Sequence, residues 1–131
     1  KFGFRNETQT KLITAAYDEV WMFSEGLAMV RIDRKYGYIN DLGEVVIPLK
    51  YDYGREFSEG LAAVLVDEKF GYINKMGKVI IETKYESAGL FSNGISSVTL
   101  DGKSGYIDKN DNIVIPFNMN GLADLLILLL L

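Results

Sequence analysis

Carboxylates are the residues of this chain that could do chemistry. The 131 residues include 18 Asp and Glu but neither His nor Cys, which excludes disulfides, zinc sites built on His or Cys, and nucleophilic triads or dyads. Glycoside hydrolysis is the rival that survives, because it needs only two carboxylates about 5 to 10 Å apart. The recurring Asp33, Asp67 and Asp101 could form such a row. We expect no enzymatic activity, because catalytic residues are usually unique and these are repeated.

The same aspartates are each followed two residues later by a lysine, as in Asp101-Gly102-Lys103. This spacing predicts a hairpin turn with a surface ion pair. A second acidic stretch, Asp108 to Asn112, opens like a calcium loop, but Ile113 stands where that loop needs Gly and Met119 where it needs Glu. We therefore predict a turn there too, with no metal and no cofactor.

Charge and glycine spacing argue against nucleic-acid and nucleotide ligands. The net charge is −4, and the 14 Lys and Arg are scattered rather than clustered, whereas phosphate neutralisation needs a basic patch. Gly37 and Gly43 are not followed by the Gly-Lys-Ser/Thr of a phosphate loop. We read the glycine of each Gly-Tyr-Ile as a place where a ring or strand lies close.

A repeat of 34 residues organises the chain. Phe-Ser-Glu-Gly occurs at 23–26 and 57–60, and Phe-Ser-Asn-Gly follows at 91–94. Gly-Tyr-Ile begins at Gly37, Gly71 and Gly105. The spacing predicts a repeat array over 1–119, made of a partial unit 1–34, units 35–68 and 69–102, and a partial unit 103–119. The first residue, Lys1, already lies inside a repeat, which suggests a fragment or a processed chain.

Each unit reads as three short strands. In the middle of the chain these are 61–66, 70–74 and 79–81, separated by turns and followed by a longer connection from Tyr85 to Gly94. This pattern predicts an all-β fold of three-stranded antiparallel units in an open elongated stack. The alternative is part of a β-propeller, whose blades usually have four strands.

Alternation along the first strand predicts which side is buried. Val30, Val64 and Val98 are identical, whereas Met29, Ala63 and Ser97 differ. Side chains alternate between the two faces of a strand. We therefore expect the constant side to pack on neighbouring units and the variable side to face something else.

The tail, 120–131, breaks the repeat and is rich in Leu. It is too short to span a bilayer, which needs about 20 apolar residues, so we predict no transmembrane span in this segment. A cap on the array, a truncated anchor and an uncertain sequence assignment all remain open.

These repeats resemble the bacterial Trp-Gly repeat family, also called the KWG repeat. The matching residues are Lys35–Asn40, Gly43, Val46–Pro48, Tyr51–Asp52 and Phe57–Ala62. The family's Trp is replaced here by Phe2, Tyr36, Phe70 and Ser104. The resemblance implies an all-β repeat scaffold in a bacterial protein, with no shared catalytic residues.

Binding residues are expected where the units differ. The stretches 18–22, 52–56 and 86–90 keep an acidic first residue and vary elsewhere, and Trp, Tyr and Arg dominate interface hot spots. Ordinary loop variation accounts for these differences equally well. The candidate partner-binding residues are Val20, Trp21, Met22, Arg31, Tyr53 and Arg55. We expect a protein partner for a non-catalytic scaffold of the bacterial envelope or periplasm, or alternatively a glycan held by a carbohydrate-binding module.

Overall fold

The computed structural model describes residues 16–119, which fold almost entirely into β-strands and turns. The predicted all-β tandem array is confirmed. The described strands are β1 (Glu19–Ser24), β2 (Leu27–Ile32), β3 (Lys35–Ile39), β4 (Val45–Tyr51), β5 (Tyr53–Gly54), β6 (Leu61–Val66), β7 (Lys69–Asn74), β8 (Val79–Tyr85), β9 (Ser87–Ala88), β10 (Ile95–Leu100), β11 (Lys103–Asp108) and β12 (Ile113–Met119). Part of the predicted first unit, 1–15, and the tail 120–131 lie outside the described residues.

The strands form three antiparallel meanders of four strands each: β1 to β4, β5 to β8 and β9 to β12. The prediction of three strands per unit was wrong. The extra strand lies in the segment expected to be a plain connection, where Tyr53 pairs with Leu65 and Ser87 pairs with Thr99. The partial-propeller alternative stays a prediction, since four strands are also usual in propeller blades.

The sheets divide the repeat at a different point from the predicted units. They run 19–51, 53–85 and 87–119, so Asp52 and Glu86 are the only residues between successive sheets. The repeat is the same in either division. Its structural unit begins after the conserved Tyr rather than at the Lys of the Lys-aromatic-Gly motif.

Successive sheets pack face to face, and the core lies between them. In the first junction Met29 and Tyr38 of one sheet meet Val64 and Ile73 of the next. In the second junction Ala63, Tyr72 and Ile81 meet Val98 and Ile107, among others. The expectation that the variable side faces away from neighbouring units was therefore wrong for Met29 and Ala63, which are buried. The central strands have a neighbour on both faces, as stacked repeats require.

A buried tyrosine connects each sheet to the next. Tyr38 donates a hydrogen bond to the carbonyl of Arg55 at 2.5 Å, and Tyr72 donates to that of Gly89 at 3.0 Å. Their rings lie edge-on to Phe57 and Phe91, at 4.9 and 4.8 Å between centroids. The Phe of each Phe-Ser-Glu/Asn-Gly motif therefore anchors its turn to the sheet before it.

The Ser and Glu of the same motif reach forward by one unit. The hydroxyl of Ser24 donates to the carbonyl of Phe57 at 2.7 Å. The carboxylate of Glu25 accepts from the backbone N–H groups of Glu59 and Gly60, at 2.7 and 2.9 Å. Ser58 and Glu59 make the same contacts with the third motif. We call this series of contacts the turn ladder.

The other repeated polar residues cap hairpin turns within a unit. The carboxylate of Asp52 accepts from the N–H of Asp67, which has a φ of +49°, so the recurring Asp is a turn residue. Asp108 accepts from the N–H groups of Asn110 and Asn112, both at 2.9 Å. Asn74 does the same one unit earlier. The stretch that opens like a calcium loop is thus the second hairpin turn of its unit.

The central-strand glycine allows the edge strand to lie close. A Cβ on Gly37 would lie 2.6 Å from the carbonyl oxygen of Ile47, and one on Gly105 would lie 2.8 Å from that of Ile115. The ladder between these strands shifts register on either side of Tyr38. No helix within residues 16–119 is long and apolar enough to cross a membrane.

Candidate partner-binding face

Four aromatic rings form a continuous row across the first two sheets. They belong to Trp21, Tyr36, Tyr53 and Phe70, on β1, β3, β5 and β7 respectively. Successive centroids are 5.6, 5.2 and 6.3 Å apart, and all four side chains are half-buried. We call them the aromatic row. Its central contact joins Tyr36 of the first sheet to Tyr53 of the second, so two units build one surface.

Strand register explains why these rings remain partly exposed. Met29 lies opposite Tyr38, and Arg31 lies opposite Tyr36 next to the hairpin. The first pair is buried in the junction, whereas Arg31 and Tyr36 are only half-buried. The aromatic row therefore lies at the hairpin end of the buried interface, where the packed faces reach solvent.

Paired charges flank the aromatic row. The Nε of Arg31 lies 2.8 Å from the Oε1 of Glu19, and the Nζ of Lys35 lies 2.7 Å from the Oδ1 of Asp52. The hydrogen bond from Lys35, followed by that from the N–H of Asp67, lowers the pKa of Asp52 below its ordinary value. These charges already have partners within the chain, so apolar ring surface is what the face offers a ligand.

The third sheet does not continue the aromatic row. Ser87 and Ser104 occupy the repeat positions of Tyr53 and Phe70. The hydroxyl of Ser104 lies 3.3 Å from that of Thr99. The ring surface therefore belongs to the first two sheets among the described residues.

The structure brings together Trp21, Arg31 and Tyr53 from the predicted binding residues. Met22 follows Trp21 in the chain and is 69% exposed. Val20 lies on the opposite face of β1, pairs with Val30 and packs on the core there.

Arg55 has a role at the junction between sheets. Its backbone N–H donates to the carbonyl of Ala63 at 2.9 Å, and its carbonyl accepts the hydroxyl of Tyr38. Its Nε is buried and makes no hydrogen bond within the described part of the chain. The backbone of Arg55 thus closes the first junction.

Sequence reasoning missed Tyr36 and Phe70, which complete the aromatic row. Both occupy the position of the repeat where the ring type changes from unit to unit. That variation was the available signal. The contact of Tyr36 with Tyr53 depends on how two sheets pack, which no single unit encodes.

The repeat chemistry agrees with the comparison against protein families. The family described as the WG containing repeat matches residues 2–36, 36–70, 70–103 and 105–118. The chain belongs to the WG-repeat family. Comparison with curated proteins and with solved structures gave no match. In WG terms, the aromatic position holds Tyr36 and Phe70, which is where the aromatic row crosses each unit.

Proposed function

We propose that this WG-repeat chain is a non-catalytic scaffold that binds a protein partner through the aromatic row. The observation that carries the proposal is the contact between Tyr36 and Tyr53, whose centroids lie 5.2 Å apart across the junction of two sheets. A surface shared by two units is extended, and repeat arrays bind partners through extended surfaces of this kind. Half-buried aromatics give large apolar contact at low entropic cost, because their rotamers are already restricted.

The engagement of carboxylates supports a non-catalytic role. Glu25, Glu59 and Asp108 all accept backbone N–H groups in turns. Within residues 16–119 no group of three or more acidic residues is placed to hold a metal ion. The polar atoms thus act in the scaffold.

Ring orientation favours a protein over a glycan. Tyr36 and Tyr53 meet at 66° between ring planes, and Tyr53 and Phe70 at 89°. Successive rings therefore present alternating faces and edges. A sugar stacks on an open ring face, whereas protein side chains fill a stepped apolar surface.

The test replaces two rings with the residues found one unit later. A Tyr53→Ser, Phe70→Ser double variant copies Ser87 and Ser104 of the third sheet, so the backbone is known to accept them. Met76→Ser is the control, since Met76 is 86% exposed in the turn between β7 and β8. Proteins and glycans captured by wild type from the native source are identified, purified and titrated against all three chains.

We expect a protein partner whose affinity falls at least about thirtyfold in the double variant, the size of a hot-spot loss of about 2 kcal/mol. The control variant should bind like wild type. A glycan as the sole ligand would favour the carbohydrate-binding reading. Equal affinity of wild type and double variant would show that the aromatic row is not the contact surface.

A further inference from the structure

The two junctions between sheets differ at one polar position. Asp111 belongs to the turn before β12, and its repeat equivalent before β8 is Gly77. The residues it faces are conserved, since Lys84 and Tyr85 at the second junction correspond to Lys50 and Tyr51 at the first. The chain therefore contains the same arrangement with and without a carboxylate.

At the second junction that carboxylate is held by two groups. The hydroxyl of Tyr85 donates a hydrogen bond to the Oδ1 of Asp111 at 2.5 Å, and the ammonium of Lys84 pairs with Oδ2. Asp111 has a φ of +65°, close to the +81° of Gly77, so the two turns share their backbone form. Burial, and then the hydrogen bond with Asp111, raises the pKa of Tyr85.

At the first junction the two groups have no such acceptor. Tyr51 is only 4% exposed, and the Nζ of Lys50 lies 5.5 Å from the centroid of its ring. Within residues 16–119 neither the Tyr51 hydroxyl nor the Lys50 ammonium has a hydrogen-bond partner. A cavity of about 330 Å³ opens beside them, and it is lined by Lys50, Tyr51, Val66, Val79, Glu82 and Thr83.

We propose that this cavity binds a small aliphatic monocarboxylate, whose carboxylate takes the place that Asp111 fills at the second junction. One carboxylate oxygen accepts the Tyr51 hydroxyl and the other pairs with the Lys50 ammonium. The aliphatic body lies against Val66 and Val79. Glu82 adds a negative charge to the wall, which disfavours polyanions such as phosphate. This site shares no residue with the aromatic row and does not rest on the proposed scaffold function.

The probe is isovalerate, titrated into the full 131-residue chain while backbone amide chemical shifts are followed by NMR. We expect saturable shifts at Tyr51, Gly77 and Val79, and none with inorganic phosphate. Tyr51→Phe and Lys50→Met each remove one charge-assisted contact, and should weaken binding by about tenfold or more.

Gly77→Asp tests the internal analogy. A Cβ at this position meets only Ile47 side-chain atoms, at 3.5 and 3.7 Å, so the new carboxylate can reach Tyr51 and Lys50 and should abolish isovalerate binding. Gly43→Asp is the matched control, because Gly43 has a φ of +82° and lies one unit before Gly77. It should leave binding unchanged.

A peptide ending in Val distinguishes the sources of the carboxylate. A free C-terminal peptide that binds more tightly than isovalerate identifies a chain terminus as the ligand, and binding of isovalerate alone identifies a small acid. The C-terminally amidated peptide should not bind in either case. The proposal is overturned if wild type shows no saturable shifts with any of these acids, or if Tyr51→Phe and Lys50→Met bind isovalerate like wild type. Those two variants decide the matter if Gly77→Asp fails to fold.

Discussion

Glu59 has a counterpart in Glu25, and each of these side chains stabilises the motif turn of the following unit. Lys109 lies 3.6 Å from the carboxylate of Glu59, as Lys75 does from that of Glu25. The third motif has Asn93 at this position, and the segment 34 residues after it reads 125–128 Leu-Leu-Ile-Leu. The acidic residue of the motif is therefore present in the two copies that are followed by another such turn.

Acid should weaken the turn ladder. The N–H of Gly94 and then, against the effect of burial, the N–H of Asn93 and the charge of Lys109 hold the pKa of Glu59 below its ordinary 4.5. A group whose folded pKa is lowered stabilises the fold above its unfolded pKa and loses that contribution as pH falls through the folded value. The stabilisation should thus be complete near neutral pH and decline below about pH 4.5.

The measurement is the urea midpoint of wild type and a Glu25→Gln, Glu59→Gln variant between about pH 7 and pH 3. The variant should be less stable at neutral pH, and the difference should shrink in acid. Glu68→Gln, at an exposed residue of the β6–β7 hairpin, is the control. A difference that does not depend on pH would show that the carboxylate charge is not what the ladder uses.

Among the elements, the close pair of central and edge strands depends most on one residue. Each unit has a register shift between these strands, and the glycine of the Gly-Tyr-Ile motif lies within it. For Gly71 a Cβ would lie 2.8 Å from the backbone nitrogen of Thr83. The edge strand is backbone at that point, so it can yield only by moving away.

Gly71→Ala should therefore destabilise the fold by about 3 kcal/mol, the upper part of the range for overpacking a filled site. Chemical denaturation gives the value directly. Gly89→Ala is the control, since the nearest atoms lie 3.5 Å from its Cβ position, which is ordinary contact. Equal stability of the two variants would mean that the strands separate more easily than the contact implies.

Sequence patterns predicted the regular elements better than the short ones. The strands with a long alternating pattern, such as β6 and β10, were found because hydrophobic alternation repeats at a fixed step. The two-residue strands β5 and β9 carry no such pattern. They pair only because the preceding sheet delivers the chain beside Leu65 and Thr99.

At the scale of the whole molecule, stability comes from interfaces that repeat. Each sheet uses one face against the unit before it and the other against the unit after it. Stability in such arrays is close to a sum of unit and interface contributions. Sequence predicted the repeat but not this use of both faces, because alternation alone does not show whether a second layer covers the other side.

A tandem copy of residues 53–86 placed after Glu86 should fold as a fourth sheet. The added unit brings the motif Phe, Ser and Glu that the turn ladder needs on each side. The denaturant m-value should rise with the added buried surface, and the unfolding midpoint should not fall. The control inserts the same 34 residues in shuffled order, which should leave the m-value of the parent chain. An ordered copy that also leaves it unchanged would contradict the additive picture.

The single residue between successive sheets determines how the array would respond to tension. Asp52 and Glu86 are also tied to hairpins of the sheets they enter, through Asp67 and Asp101. A load applied along the chain reaches each junction with no slack to absorb it. Opening one unit releases 34 residues, roughly 110–120 Å of extended chain, while the remaining units keep their packing. Under force, WG arrays of this design would lengthen in equal increments, as extensible spacers.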